Sequence, residues 1–188
     1  MTPRWLPACC GLLLAAVAAL AVAAEIDPAA SQVGFSVRTR WGKALLGRFH
    51  EYHGEIEELS DGRHRVHLSL ATRTVEIVGH ASYTRFTRGS GFFDAARYPK
   101  LEFVSDPYGP ELLQRGGALP GMLTIRGVSR REVFTIDPAH CPRPARDCDV
   151  VGAGSVRRSD YGIDRWNFAL SDKVRFSLRV RVRGERGA

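Results

Sequence analysis

From Lys173 to Arg183, apolar and basic residues alternate without a fault. Val174, Phe176, Leu178, Val180 and Val182 fall on one face of an extended chain; Lys173, Arg175, Ser177, Arg179, Arg181 and Arg183 fall on the other. A period of two predicts a strand with one buried and one wet face, whereas an amphipathic helix needs a period of about 3.6. Shorter stretches repeat the signal. Val33, Phe35 and Val37 alternate with Gly34, Ser36 and Arg38, and Val66, Leu68 and Leu70 alternate with His67 and Ser69. Leu101 and Phe103 flank Glu102, Leu123 and Ile125 flank Thr124, and Val133-Phe134-Thr135-Ile136 is apolar and β-branched. Arg48 to Glu57 and Val150 to Arg157 are weaker candidates. This makes about eight strands, divided by turn signals such as Asp61-Gly62, Gly116-Gly117 and Arg126-Gly127. One helical candidate lies between Val78 and Arg97; Gly89-Ser90-Gly91 breaks it into two short pieces, and Tyr98-Pro99 stops it.

Antiparallel strands with one apolar face must hide that face. Closing the sheet into a barrel hides it and removes the edges. A barrel of about eight strands is just wide enough for one slim ligand or a filled core. A two-sheet sandwich is the alternative.

The first 24 residues are different in kind. Arg4 supplies positive charge, an uncharged apolar run extends from Gly11 to Ala24, and Val22-Ala23-Ala24 offers the small side chains that signal peptidase accepts. This layout predicts a secretory signal peptide over residues 1–24, cut before Glu25, with residues 25–188 forming one domain. An uncleaved anchor is the alternative; Pro7 and the Ala-rich end argue for cleavage. No later apolar run is long enough to span a membrane, so no stable span is expected after cleavage.

Charge and cysteine usage refine the picture. Without Arg4 the chain keeps 26 of 27 Lys and Arg against 20 Asp and Glu, a net charge of +6. Such a surface suits anionic head groups or nucleic acid, but no zinc-finger spacing, aromatic RNA-binding motif or basic helix supports nucleic acid, and none is expected as a partner. Cys141 and Cys148 lie in a proline-rich, charged stretch that reads as a loop. In an exported chain this even pair predicts a disulfide.

Several segments, weak singly, are specific together in their order and spacing. The chain opens with Ile26-Asp27-Pro28-Ala29-Ala30-Ser31-Gln32-Val33-Gly34-Phe35, then carries Gly47-Arg48-Phe49 and Gly54-Glu55-Ile56. Gly91-Phe92-Phe93-Asp94-Ala95-Ala96-Arg97-Tyr98-Pro99-Lys100-Leu101-Glu102-Phe103 is the most distinctive, followed by Gly121 to Arg130 and by Arg158-Ser159-Asp160-Tyr161-Gly162-Ile163. From about Ile26 to Val182 the sequence resembles the YceI-like family of exported lipid-binding proteins. The resemblance implies an all-β, lipocalin-like eight-stranded antiparallel barrel with a short helical insert. It implies a hydrophobic tunnel for a polyisoprenoid or similar long-chain amphiphile, a periplasmic or secreted bacterial location, and no conserved catalytic machinery. Two departures stand out. Phe86 occupies a position where the family often carries His, and the Cys141 to Cys148 loop is an elaboration.

The remaining chemistry points the same way. His50 and His53 are three apart, as are His64 and His67, so on a strand each pair splits between opposite faces and makes no metal site. Gly152-Ala153-Gly154-Ser155-Val156 lacks the second glycine of a nucleophile elbow, and no helix follows to make a dinucleotide loop. No cofactor, metal or catalytic residue is therefore expected. Aromatic residues, by contrast, are spread across most of the strands. Phe35, Phe49, Phe93, Phe103 and Trp166 are the leading candidates to line the tunnel. The expected function is an exported, non-enzymatic carrier or scavenger of a long-chain isoprenoid or fatty lipid, with a homodimer left open. An exported enzyme or redox accessory acting on an isoprenoid quinone is the alternative.

Overall fold

The structure is a computed structural model that describes residues 23–184; the signal peptide expected over residues 1–24 lies almost wholly outside them. One antiparallel sheet dominates. Its strands are β1 (Ala24–Glu25), β2 (Gln32–Thr39), β3 (Ala44–Phe49), β4 (Tyr52–Glu58), β5 (His64–Ala71) and β6 (Val75–Ile77). The second half adds β7 (Lys100–Ser105), β8 (Gly117–Ile125), β9 (Val128–Ile136), β10 (Val150–Arg157) and β11 (Leu170–Val180). Two short helices, α1 (Ala81–Arg88) and α2 (Glu111–Arg115), sit in the connections.

The sheet order is β1-β4-β5-β7-β8-β9-β10-β11-β2-β3-β6. Among the described residues, eleven strands stand where the sequence pattern predicts about eight, because three long extended runs are interrupted. A turn after Ile26 separates β1 from β2, His50 and Glu51 separate β3 from β4, and a 3₁₀ turn at Thr72–Thr74 separates β5 from β6. The halves still run side by side, since β2 pairs with β3 while β1 pairs with β4, and β3 pairs with β6 while β4 pairs with β5. The start of the chain also meets its end. Ile26 bridges Val182, Asp27 N–H donates to the Arg181 carbonyl at 2.8 Å, and Arg183 N–H donates to the Glu25 carbonyl at 2.8 Å. The sheet therefore curls until edge strand β1 finds hydrogen-bond partners on both sides.

Local chemistry explains the turns. The β8–β9 hairpin has two loop residues, Arg126 and Gly127, with φ of +52° and +74°. This is the twist that two-residue hairpins favour, and the glycine carries half of it without a steric cost. The alternation read in the sequence holds along β11, where Phe176 is buried and Lys173, Arg175, Ser177 and Arg179 are exposed. Inward-facing positions of β2, β5, β7 and β8 supply Phe35, Leu68, Leu70, Leu101, Phe103 and Leu123 to one apolar core. Burying each such side chain contributes about 1.5–3 kcal/mol.

The two ends of the sheet are finished differently. Helix α1 packs on β6 at one end. At the other end the Cys141–Cys148 disulfide closes a loop whose Ala145 is buried. That loop is tied down by Val182 N–H donating to the Ala145 carbonyl at 2.9 Å and by the Gln114 side-chain amide donating to the Cys141 and Pro142 carbonyls at 3.2 Å. Replacing both cysteines with serine should lower unfolding stability by roughly 2–3 kcal/mol, the loop-closure contribution of so short a ring. Denaturant unfolding of the wild type in reductant should coincide with that of the variant. A wild-type midpoint insensitive to reductant would contradict a stabilising bridge.

Candidate functional site: an apolar cavity open at one end

The concave side of the sheet is not fully packed. A cavity of about 500 Å³ lies beneath α1, within the roughly 300–1,000 Å³ of small-molecule sites. Its wall combines Phe35 and Val37 of β2, Leu45 of β3, Ile77 of β6, Val156 of β10 and Phe176 of β11. A smaller hollow of about 90 Å³ lies further in, lined by Leu68, Leu101, Phe103, Leu123 and Phe134, with Ala145 of the disulfide loop across its end. Phe176 faces both spaces and stands between them.

Glycines on neighbouring strands create this room. Phe35 is paired with Gly47 across β2 and β3, and a Cβ on Gly47 would penetrate the Phe35 ring. A Cβ on Gly121 would lie 2.6 Å from the Phe103 ring, and one on Gly154 would lie 2.7 Å from the Phe134 ring. The rings therefore lie flat over bare backbone instead of projecting into the hollow. They also touch one another. Ring centroids are 5.8 Å apart for Phe35–Phe49, 6.1 Å for Phe35–Phe176, 6.5 Å for Phe134–Phe176 and 4.8 Å for Phe103–Phe134, in tilted or edge-on contact. An aromatic wall runs without a break from the larger cavity to the smaller.

Polar groups near the cavity are satisfied by protein. Arg158 is buried, and its guanidinium donates to the carbonyls of Ser171 (3.1 Å), Ile163 (2.8 Å), Arg165 (2.5 Å) and Leu170 (3.4 Å) and to Asn167 Oδ1 (2.5 Å). Every N–H of that group is engaged, so it pins the loop of residues 163–170 instead of facing a ligand. Tyr161 is buried, and its hydroxyl donates to Glu132 Oε1 at 2.8 Å. Burial, reinforced by the Glu132 carboxylate, holds this phenol far above its ordinary range and so neutral. Burial likewise pushes Tyr108, beside the smaller hollow, up to about 12. Among the described residues, the larger cavity's wall carries two charged side chains, Arg158 and the exposed Lys43, and no histidine or carboxylate.

The loop that Arg158 holds contains a backbone outlier. Trp166 has φ of +63°, a left-handed conformation that costs a bulky residue about 1–3 kcal/mol. Its carbonyl accepts from Ala169 and Leu170 N–H at 2.9 and 2.8 Å, and its ring sits 5.4 Å from Phe168 and 6.4 Å from Phe86. Trp166 is 44 % exposed.

The five aromatics expected to line one tunnel fall into four settings. Phe35 and Phe93 line the larger cavity, and Phe103 lines the smaller one. Trp166 stands at the mouth instead of within, because its loop leaves the sheet before β11 begins. Phe49 lines neither space; it is buried and packs against Phe35 and Phe93, 5.8 Å from each. Phe176, which divides the two spaces, was legible in the unbroken alternation of β11 but not singled out there. Val156 lies in the weaker strand candidate Val150 to Arg157, and Ile77 lies outside every predicted strand. The histidines lie outside the cavity: His50 meets Glu76 at 2.6 Å, His53 meets Glu55 at 2.9 Å, and His67 meets Glu57 at 3.4 Å. Among the described residues, no group of three or more His, Cys, Asp or Glu could hold a metal.

Fold and site thus define an all-β protein built around an apolar cavity. Residues 25–182 match the YceI-like domain, and the chain belongs to that family. A "UPF0312 protein" of Shewanella denitrificans is 25 % identical over 179 residues, covering 90 % of each chain. Among solved structures, Burkholderia cenocepacia BcnA superposes with a TM-score of 0.70 at 18 % identity, over 85 % of this chain and 99 % of that one. A polyisoprenoid-binding domain from Saccharophagus degradans, implicated in plant cell wall breakdown, gives 0.64 at 12 % identity, over 86 % and 97 %. The YceI protein of Campylobacter jejuni gives 0.55 at 20 % identity, over 74 % and 85 %.

The Phe–Gly packing yields a direct test. Gly47→Ala should drive the Phe35 ring off the wall, narrowing the cavity and costing about 1–3 kcal/mol by overpacking. Thermal unfolding and uptake of an environment-sensitive apolar dye should both fall. Unchanged melting with undiminished dye uptake would show that the glycine is not what keeps the cavity open.

Proposed function

We propose that the protein is an exported carrier or scavenger that holds a polyisoprenoid or similar long-chain amphiphilic lipid inside a lipocalin-like barrel. The observation that carries this reading is the apolar cavity that opens at the rim beside α1, with a second apolar hollow beyond Phe176 and beneath Ala145. One end is covered by α2 and the disulfide loop, so a chain enters tail first and leaves its head group at the rim. Joining each interrupted strand pair gives eight staves, and the Ile26–Val182 bridge links the first to the last. Family membership and the likeness to a polyisoprenoid-binding domain support the ligand class. The leader-like first 24 residues and the disulfide support export to the periplasm or beyond.

Affinity comes from area. Each buried CH₂ contributes about 0.8 kcal/mol, so a five-carbon unit contributes roughly 4 kcal/mol before costs. A few units summed naively would exceed the affinity ceiling, so the loss of chain flexibility offsets much of the gain. Cavity length then selects chain length, and Phe35, Phe93, Phe103 and Trp166 act as wall and rim, with Phe49 packed against Phe35 and Phe93. A redox accessory acting on a quinone would call for a titratable side chain at the ring; the engaged Arg158 and the neutral Tyr161 favour the carrier instead.

Filling the space separates carrier from packed core. Val37→Trp places bulk in the larger cavity. The protein should keep its melting temperature within a few degrees yet lose co-purified lipid. A packed core would instead lose about 1–3 kcal/mol of stability, and that result, with no lipid in the wild type, would contradict the proposal.

A further inference from the structure

The exposed aromatic residues are not scattered. Trp41 is 79 % exposed, Phe168 73 %, Phe86 57 %, Tyr83 46 % and Trp166 44 %. All five border the mouth of the larger cavity, contributed by the β2–β3 turn, by α1 and by the loop before β11. The other large apolar side chains that stand exposed among the described residues are aliphatic or Met. An isolated exposed apolar side chain is ordinary, but a contiguous exposed patch marks an interaction site. The left-handed backbone at Trp166 adds to this, because a conformation unfavourable to a bulky residue is held there beside the Arg165 carbonyl that Arg158 fixes, with the ring at the rim.

Charge indicates what the rim meets. Residues 38–46, 81–97 and 163–170 build it, and together they carry seven Arg or Lys against two acids, Asp94 and Asp164. Among the described residues, Lys43, Arg85 and Arg165 take part in no ion pair. Exposed Trp, Tyr and Phe encircled by unpaired cations match the interfacial zone of an anionic bilayer, where aromatic rings sit at head-group level and basic side chains meet lipid phosphates. A protein partner would equally be offered an apolar patch. A cavity mouth at the centre of that patch favours the bilayer, since a chain could then pass between membrane and cavity without crossing water.

We propose that the aromatic rim is a docking surface for an anionic phospholipid bilayer. The choice of a bilayer rests on the carrier reading, though not on which apolar molecule the cavity holds. The test is co-sedimentation of protein lacking the first 24 residues, so that the apolar leader contributes nothing, with vesicles of phosphatidylethanolamine and phosphatidylglycerol or of phosphatidylcholine alone. Wild type should sediment with the anionic vesicles, release at high salt, and show a blue shift in tryptophan fluorescence. The double variant Trp41→Ser/Phe168→Ser should bind at least about tenfold more weakly. Lys43→Glu/Arg85→Glu should bind more weakly and lose salt dependence. Val133→Ser, an exposed apolar site outside the rim, should bind as wild type. Wild type left in the supernatant, or a rim double variant that still binds fully, would overturn the proposal. So would a stable dimer in sedimentation velocity that Trp41→Ser/Phe168→Ser dissolves while vesicles stay unbound, because the rim would then join two copies. Lipid co-purifying with a rim variant that no longer docks would leave the carrier reading standing on its own.

Discussion

The structure depends on rings lying flat over glycines. A strongly curled antiparallel sheet sends every second side chain inward, and apolar side chains of ordinary size would fill so narrow a space. Phe35 on Gly47, Phe103 on Gly121 and Phe134 on Gly154 solve this by spreading each ring along the wall, over a neighbour that has no side chain. The apolar lining is kept while the central volume is spared. Phe49 and Phe93 brace Phe35, and Phe134 and Phe176 carry the same wall inward. A glycine within a strand ordinarily weakens it; here that cost is what an open interior requires.

The ends follow from the same constraint. An open interior has two mouths, and this chain treats them as opposites. One is covered by α2 and by a disulfide loop tied to Gln114 and Val182. The other is bordered by α1 and by the loop that the buried Arg158 fixes through five acceptors. Arg158 is a buried cation used as a mechanical part: with all donors spent on loop carbonyls and one amide, it gives shape to the mouth without giving polarity to the cavity.

Much of the strand pattern was legible in the sequence because a half-buried strand writes its register directly as alternation. β2, β5, β7 and β11 declare themselves that way, and the helical piece before Gly89 is found at Ala81–Arg88, whereas the second piece expected between Gly91 and Arg97 is a series of turns. The interruptions at His50-Glu51 and Thr72–Thr74 were invisible, since nothing local in those residues forbids an extended run; they bend because the sheet must curl. The three-residue β6 is too short to show a period. Within the site, parity placed Phe35 and Phe103 facing inward, but parity says nothing about how deep a residue lies. Phe49 therefore looks equivalent to Phe35 although it borders neither space, and Trp166 looks interior although it stands half-exposed at the mouth. The glycine partners were unreadable for a related reason. Gly47 acquires its meaning only once register sets it opposite Phe35.

On the proposed function, the spared volume holds one extended apolar chain. Native mass spectrometry of gently purified, exported protein tests it most directly, because it reads ligand mass and subunit number together. A carrier should show a population heavier than the bare chain by the mass of one long-chain isoprenoid or comparable lipid per subunit, released on activation in the gas phase. Bare protein alone, at every activation energy and after addition of long-chain isoprenoids, would contradict it.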